Sequence, residues 1–448
     1  MHFHQVLNDE LGCASYLLAD GGEAIVVDPR WDIGIYLELA ARDGARITHV
    51  VDTHDHADHV SGRGRLGRRT GAAPRRPGAG LRAGDELHAG RIVVRALATP
   101  GHRPEHLALV VTDEARGPEP WCVLTGDSLL VGDVARPDLA VDAVEGARGL
   151  HASLQEIFAL GDHVEVWPAH VGGSLCGGGQ LSPKTSSTIG YERRSSSPAG
   201  LGAEAFVETV AAAAPPRPPN LEAVVARNQG ALDDEPPPPG SLAPESLQAA
   251  VAGGATVLDA RPADAFDSWH LAGALSLPPG PGRVTRVGWA VRPDEPLVVV
   301  DTDETSALAL ATALHAIGLW RVVGITAAKP DAWRDAGLAV GHGVAWSVDA
   351  LAAALRDGRV ALVDVREAGE WAAGHVAGSV GLPLHLLADG RAPVPGLNGS
   401  PIAVACAGGG RAALGASLLR RAGHPDVVRV AGGGVGDLAA RGIALATC

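Results

Sequence analysis

Lysine is nearly absent from this chain: Lys184 and Lys329 are the only two, and arginine carries the rest of the positive charge. No basic block offsets a formal net charge of −14, which excludes nucleic-acid binding as a main role. Together with 59 glycines, the imbalance reads as a coding bias and carries no functional weight. Cysteine is also scarce. Cys13, Cys122, Cys176, Cys406 and Cys448 are odd in number and widely spaced, so a disulfide framework or a Cys-based zinc site is not expected. Reduced thiols in a cytosolic enzyme fit better. No stretch approaches ~20 uninterrupted apolar residues, which argues against a membrane span. Met1-His2-Phe3-His4-Gln5 has no basic region and opens no long apolar run, so no signal peptide is expected, and the expected compartment is the cytoplasm. At 448 residues the chain exceeds one core, and roughly three domains are expected.

What the chain concentrates is histidine and aspartate. Thr53–Gly62 reads T-H-D-H-A-D-H-V-S-G and places His54, Asp55, His56, Asp58 and His59 within six residues. The β-branched stretch before it, residues 47–52, reads as a strand. A cluster where a strand opens into a loop can hold several ligands rigidly and leave a coordination position free. Imidazole and carboxylate at this density suit a first-row divalent metal. Three more apolar strands end in ligand-capable residues: Arg91–Leu97 before His102, Trp121–Leu124 before Asp127, and Val164–Trp167 before His170. One site assembled from strand ends accounts for all four. Ser15–Leu18 and Ala24–Val27 read as a hairpin or as two neighbouring strands, and Ile33–Arg42 and Val60–Thr70 as helices. Gly71–Leu81 reads as Pro/Arg/Gly filler. Proline runs at Pro215–Pro219 and Asp233–Gly240 resist packing and mark a boundary near residue 240.

Beyond it lies a repeat at a constant offset of 105. Val257–Arg261 matches Leu362–Arg366, His270–Ala274 matches His375–Ser379, and Pro296–Val300 matches Pro401–Ala405. Each copy alternates strands with helical stretches, which implies a small α/β domain with a mainly parallel sheet. In the second copy a strand runs into C-A-G-G-G-R, Cys406 to Arg411, and a helix follows. The glycines Gly408, Gly409 and Gly410 let backbone N–H groups turn toward one point. The helix N-terminus and Arg411 add positive potential there, which favours negative charge on a thiol and makes Cys406 a ready nucleophile. In the first copy Cys406 maps to Asp301 and Arg411 to Ser306. That loop, D-T-D-E-T-S, has lost nucleophile, glycines and cation, and is expected to act only as a spacer or docking surface.

The C-terminal pair resembles rhodanese domains, on its D-x-R strand ends, H-x-x-G-[AS] turns and the C-x-x-G-x-R loop. The first copy, 241–342, would be degenerate and the second, 343–448, active, with Cys406 carrying persulfide sulfur between donor and acceptor. Residues 1–240 resemble the metallo-β-lactamase fold, an αββα sandwich, on H-x-H-x-D-H, T-P-G-H, G-D and the late His170. Within that superfamily the chain looks most like persulfide dioxygenase–rhodanese fusions. Supporting stretches are Thr125–Leu130, Ala169–Gly177 and Lys184–Thr188. Between Thr70 and Leu87 the chain is shorter than such relatives.

The resemblance implies one Fe(II) per chain held by His54, His102 and Asp127. His56, Asp58, His59 and His170 would support these ligands or form a second metal site. It implies oxidation of a low-molecular-weight thiol persulfide by O₂ to sulfite, in a homo-oligomer. Cys176 would contact substrate or form a regulatory disulfide. Two alternatives stay open. One is a binuclear zinc hydrolase of the glyoxalase II type, for which two Zn have all seven ligands in His54, His56, Asp58, His59, His102, Asp127 and His170. The other is a sulfur carrier whose N-terminal domain only binds a partner.

Overall fold

The computed structural model describes residues 1–172, 176–177, 181–213, 216–388 and 400–447; part of the stretch from Ala169 to Gly177, and Cys448, lie outside the described residues. The chain divides into two compact units. The first comprises residues 1–217, 221–235 and 316–318, the second residues 218–220, 236–315 and 319–448.

The first unit holds two six-stranded sheets. One orders β1 (His2–Asn8), β2 (Cys13–Asp20), β3 (Glu23–Val27), β4 (Arg46–Val51), β5 (Pro74–Pro77) and β6 (Gly80–Leu81) in sequence. The other holds β7 (Glu86–Ala89), β8 (Ile92–Ala98), β9 (Leu107–Asp113), β10 (Cys122–Gly126), β11 (Glu165–Pro168) and β12 (Ser187–Thr188). The period of two along each strand sorts side chains into layers. Tyr16, Leu18, Ile25 and Val27 face Val94, Leu109, Val111 and Leu124 between the sheets. Their neighbours Leu17, Ala19, Ala24 and Val26 pack outward on helices α1 (Gly34–Arg42) and α2 (Arg63–Thr70). On the far side Ala108, Val110, Val123 and Val166 pack on α3 (Ala143–Phe158), α4 (Ile189–Ser195) and α5 (Ala203–Ala212). The result is the αββα sandwich. The β2–β3 turn is the expected hairpin: Gly21 and Gly22 sit at φ +61° and +83°, the left-handed pair a tight two-residue turn needs.

Gly71–Leu81 corrects the reading of filler. Pro74–Pro77 pairs in parallel with β4, and Leu81 is fully buried in the core between the sheets. Proline is tolerated here because a short strand leaves most of its donors unused.

In the second unit both repeat copies form parallel sheets. The first orders Leu275–Ser276, Thr256–Asp259, Leu297–Asp301 and Val322–Ala327; the second orders Val344–Ser347, Val427–Ala431, Ile402–Ala405, Ala361–Asp364 and Val380–Gly381. The D-x-R motif makes the same buried ion pair in both. Arg261 grips Asp259 at 2.6 Å and the Trp269 carbonyl, and Arg366 grips Asp364 at 2.7 Å and the Gly374 carbonyl. The motif histidines stack on a neighbouring ring, His270 on Phe266 and His375 on Trp371. These contacts tie the strand end to the turn that follows it in each copy. Among the described residues no helix is long and apolar enough to cross a membrane, and no disulfide forms.

Candidate metal centre and thiol loop

The four expected strand ends converge. β4 leads into His54–His59, β8 into His102, β10 into Asp127 and β11 into His170. His54, His102 and Asp127 are fully buried, and their ligand atoms lie within 4.8 Å of one another. Asp127 Oδ2 is 3.7 Å from His54 Nε2 and 3.4 Å from His102 Nε2, separations that make no hydrogen bond. All three atoms are without a hydrogen-bond partner among the described residues. An orphaned buried polar atom costs about 1–3 kcal/mol, so three aimed at one point are best explained as ligands of a metal.

The remaining ring nitrogens fix the tautomers. His102 Nδ1 donates to the Arg136 carbonyl at 2.9 Å. His54 Nδ1 donates to Thr53 Oγ1 at 3.0 Å, and that hydroxyl in turn donates to Asp28 Oδ2. Each Nε2 is left with its lone pair facing the centre. Burial holds both imidazoles below their ordinary value, with neighbouring histidines adding to the effect at His54. Neutral imidazole is the form that binds a metal. The G-D motif also has a physical reason. Gly126 adopts φ +53°, and a Cβ there would lie 2.5 Å from His106 Nε2. His106 uses that nitrogen to accept from the Asp127 N–H at 2.9 Å. Burial pushes His106 down to about 3, so it stays an acceptor.

Of the other four candidates, Asp58, His59 and His170 close on one another, whereas His56 Nδ1 is also buried without a hydrogen-bond partner among the described residues. His170 spans two carboxylates, with Nδ1 on Asp127 Oδ1 at 2.6 Å and Nε2 on Asp58 Oδ2 at 2.9 Å. Burial opposes its charge, but Asp127, Cys176 and Asp58 outweigh burial and raise it well above the usual histidine value. His59 Nδ1 bonds Asp58 Oδ1 at 3.0 Å, and Cys13 Sγ donates to Asp58 Oδ2 at 3.1 Å. His56 Nε2 donates to Asp28 Oδ1 at 3.1 Å; burial is overcome by that carboxylate and His56 rises to about 9. Cys176 is buried beside Asp127 and His170. Burial pushes its thiol up to about 12.

In the second repeat copy Cys406 is buried at the end of its strand, and the Gly409 N–H donates to its Sγ at 3.0 Å. Gly409 takes φ +95°, and helix Gly410–Arg421 starts at once. Gly434 lies against the loop: a Cβ there would overlap the carbonyl oxygens of Cys406 and Ala407. Arg411 departs from expectation. Its guanidinium forks onto Glu370 at 2.5 and 2.8 Å and holds that carboxyl below the usual range. Its charge is offset within the domain and is not a free cation at the thiol. In the first copy Asp303 replaces an anion at the matching helix start: Oδ1 accepts from the Ser306 N–H at 2.9 Å.

Residues 8–120 match the metallo-beta-lactamase superfamily, and residues 243–334 and 347–439 each match the rhodanese-like domain. The chain joins a metallo-beta-lactamase domain to tandem rhodanese-like domains. The metallo-beta-lactamase part is 29% identical over 234 residues to the mitochondrial persulfide dioxygenase of Bos taurus, covering 48% of this chain and 82% of that protein. It is 33% identical over 165 residues to a hydroxyacylglutathione hydrolase of Anaeromyxobacter dehalogenans, covering 35% of this chain and 60% of that one. A solved metallo-beta-lactamase from Staphylococcus aureus superposes with a TM-score of 0.66 at 26% identity, over 73% of this chain and 99% of that one.

Several residues of the metallo-beta-lactamase site escape a sequence reading. Asp28 ties Thr53 and His56 together, His106 orients Asp127, Cys13 touches Asp58, and Asn228 holds the histidine loop from behind. A lone β-bridge between distant segments brings Cys13 beside His170, with Sγ 3.4 Å from Nε2, a meeting that no spacing reveals. In the second rhodanese-like domain Glu370 was equally invisible, because its partner Arg411 lies 41 residues on.

Proposed function

We propose that the chain is a non-haem iron persulfide dioxygenase with a sulfurtransferase on the same polypeptide. The observation that carries this reading is the contrast inside the histidine cluster. Two imidazoles and one carboxylate present orphaned atoms to one point, a 2-His-1-carboxylate set with positions to spare. Both nitrogens of His170 are spent on Asp127 and Asp58, so in this arrangement its ring offers no lone pair to a second metal. Fe(II) held by His54, His102 and Asp127 would supply the oxygen chemistry, one ion per chain. The likeness to persulfide dioxygenase over the N-terminal half supports the substrate class.

The reaction is R–S–SH + O₂ + H₂O → R–SH + SO₃²⁻ + 2H⁺. In it Thr53 and the Arg136 carbonyl keep the two imidazoles in the binding tautomer. His106 and Gly126 set the angle of Asp127. His170 balances the charge of Asp127 and Asp58. Buried strand ends around the centre exclude competing water. Cys406 would take sulfane sulfur as a persulfide and pass it to sulfite: Cys–S–SH + SO₃²⁻ → Cys–SH + S₂O₃²⁻. One chain carrying both sites raises the local concentration of the shared intermediate. We assign 1–240 to the dioxygenase domain, 241–342 to the degenerate rhodanese domain and 343–448 to the active one.

The zinc hydrolase reading keeps two supports, the presence of all seven ligands and the match to a hydroxyacylglutathione hydrolase. Metal analysis of protein from iron-supplied cells, with oxygen-electrode traces on glutathione persulfide, separates the two. One iron per chain, oxygen uptake and sulfite formation are expected, all lost in His102→Ala. Two zincs per chain and thioester hydrolysis without oxygen uptake would overturn the proposal.

A further inference from the structure

The two repeat copies enclose a cavity of about 590 Å³ along the seam where they meet. That volume lies within the range of small-molecule sites, about 300–1,000 Å³, and such sites favour the junction of two domains. One wall comes from the end of helix Arg283–Ala290 and the turn after it, with Trp289, Arg292 and Glu295. The other comes from helix Leu384–Ala388 and the last turn of helix Gly410–Arg421, with Leu387, Leu418, Arg421 and, just beyond, His424. Three contacts hold the walls together. Arg429 pairs with Asp264 and Asp267 at 2.6 and 2.8 Å, and the Ser276 N–H donates to Ser417 Oγ at 3.0 Å. Trp289 packs on His385 with ring centroids 5.3 Å apart.

The polar groups of the cavity are unevenly spent. The Glu295 carboxylate accepts from the Thr256 hydroxyl and from the Arg292 N–H at 3.2 Å. The exposed Arg292 side chain is offset by Asp294 at 3.7 Å. Arg421 Nη2 stands 3.6 Å from Glu295 Oε1, beyond hydrogen-bond length. Among the described residues neither the Arg421 guanidinium nor the His424 ring makes a hydrogen bond. Two side chains with donors to spare therefore line a cavity that also offers an indole and leucine side chains. That set suits a planar ring carrying a phosphate: the ring packs on the indole, and the oxyanion takes the guanidinium fork.

We propose that this seam cavity binds a nucleoside monophosphate, with the base against Trp289 and the phosphate on Arg421 and His424. The site is separate from the sulfur chemistry proposed above and does not depend on it. Arg421 ends the helix that Gly410 begins beside the Cys406 loop, and at 1.5 Å per residue the two ends lie about 16 Å apart. A nucleotide bound here touches both copies at once. The copy whose loop carries no thiol thereby acquires a role in binding.

The test is isothermal titration of the full chain with AMP, with adenosine as the same base and sugar without the phosphate. Saturable binding of one AMP per chain is expected, tighter than that of adenosine. Arg421→Gln should weaken AMP about tenfold, the worth of one charge-assisted hydrogen bond, and leave adenosine unchanged. Arg421→Lys should recover most of that loss. Trp289→Leu should weaken both ligands about tenfold through lost stacking. No saturable binding of AMP, or equal losses for AMP and adenosine in Arg421→Gln, would overturn the inference.

Discussion

The two rhodanese-like domains are one fold with two loops. Both keep the buried Asp–Arg pair, at Asp259–Arg261 and Asp364–Arg366, and both stack the motif histidine on a ring. They part at the strand-to-helix turn. In the second domain that turn presents a thiol, glycine backbone and a bare helix start. In the first, Asp303 fills the same helix start with its own carboxylate. Burial raises Asp301 above the usual carboxylate value at the position of the lost thiol. The difference between the copies thus resides in the six residues of that turn, and the scaffold is the same with either set. A helix N-terminus is not left empty: it is capped from within or kept open for a ligand.

The comparison is sharpest at the thiol. Cys406→Ser should lower thiosulfate–cyanide transfer at least about a thousandfold, since the nucleophile is removed. Oxygen uptake with free glutathione persulfide should persist. Loss of both in one variant would break the division of labour between the two centres. Next comes Gly434→Val. Its side chain would collide with the Cys406 and Ala407 carbonyls, and about 3 kcal/mol of overpacking is expected, read as a lower urea midpoint. Asp303→Ala tests the other loop. It removes a helix cap and should lower stability slightly, with faster hydrogen exchange at the Ser306 amide and no change in transfer.

The smallest effect is at Glu370. Its carboxyl titrates lower in the fold than in the unfolded chain, so its pair with Arg411 stabilises above the unfolded carboxylate value, about 4.3, and fades as pH falls through the lower folded value. The pair is partly exposed and worth less than about 1 kcal/mol. Glu370→Gln should lower the neutral plateau of a stability–pH profile by no more than that amount and flatten its acid limb, so that the two profiles meet at low pH.

Much of this was legible because strand periodicity and turn chemistry are local. The β2–β3 hairpin, α1 and the repeat offset of 105 follow from residues a few positions apart. So did the convergence of His54, His102, Asp127 and His170, because each directly follows an apolar strand. Gly71–Leu81 was opaque for the opposite reason: Pro74–Pro77 is a strand only because β4 offers it an edge. Glu370 stayed out of sight because the sequence shows the charge of Arg411 and not the carboxylate that pairs with it. The split of the histidine cluster into open and closed halves rests on which nitrogen meets which oxygen. His170 has the same spacing in either case.

Asn228 gives the metal domain an unexpected far edge. It lies on the helix Leu221–Gln229, fully buried, and its side-chain amide donates to the His56 and His59 carbonyls at 2.8 Å each while accepting from the Ser61 N–H. Arg63 closes the clasp, reaching the Asn228 carbonyl from one side and Asp52 from the other. A polypeptide ending soon after His170 would contain every candidate ligand and still lack the part that holds their loop in shape. The smallest self-sufficient version of this centre is set by a clasp that binds no metal, more than fifty residues past the last histidine of the cluster.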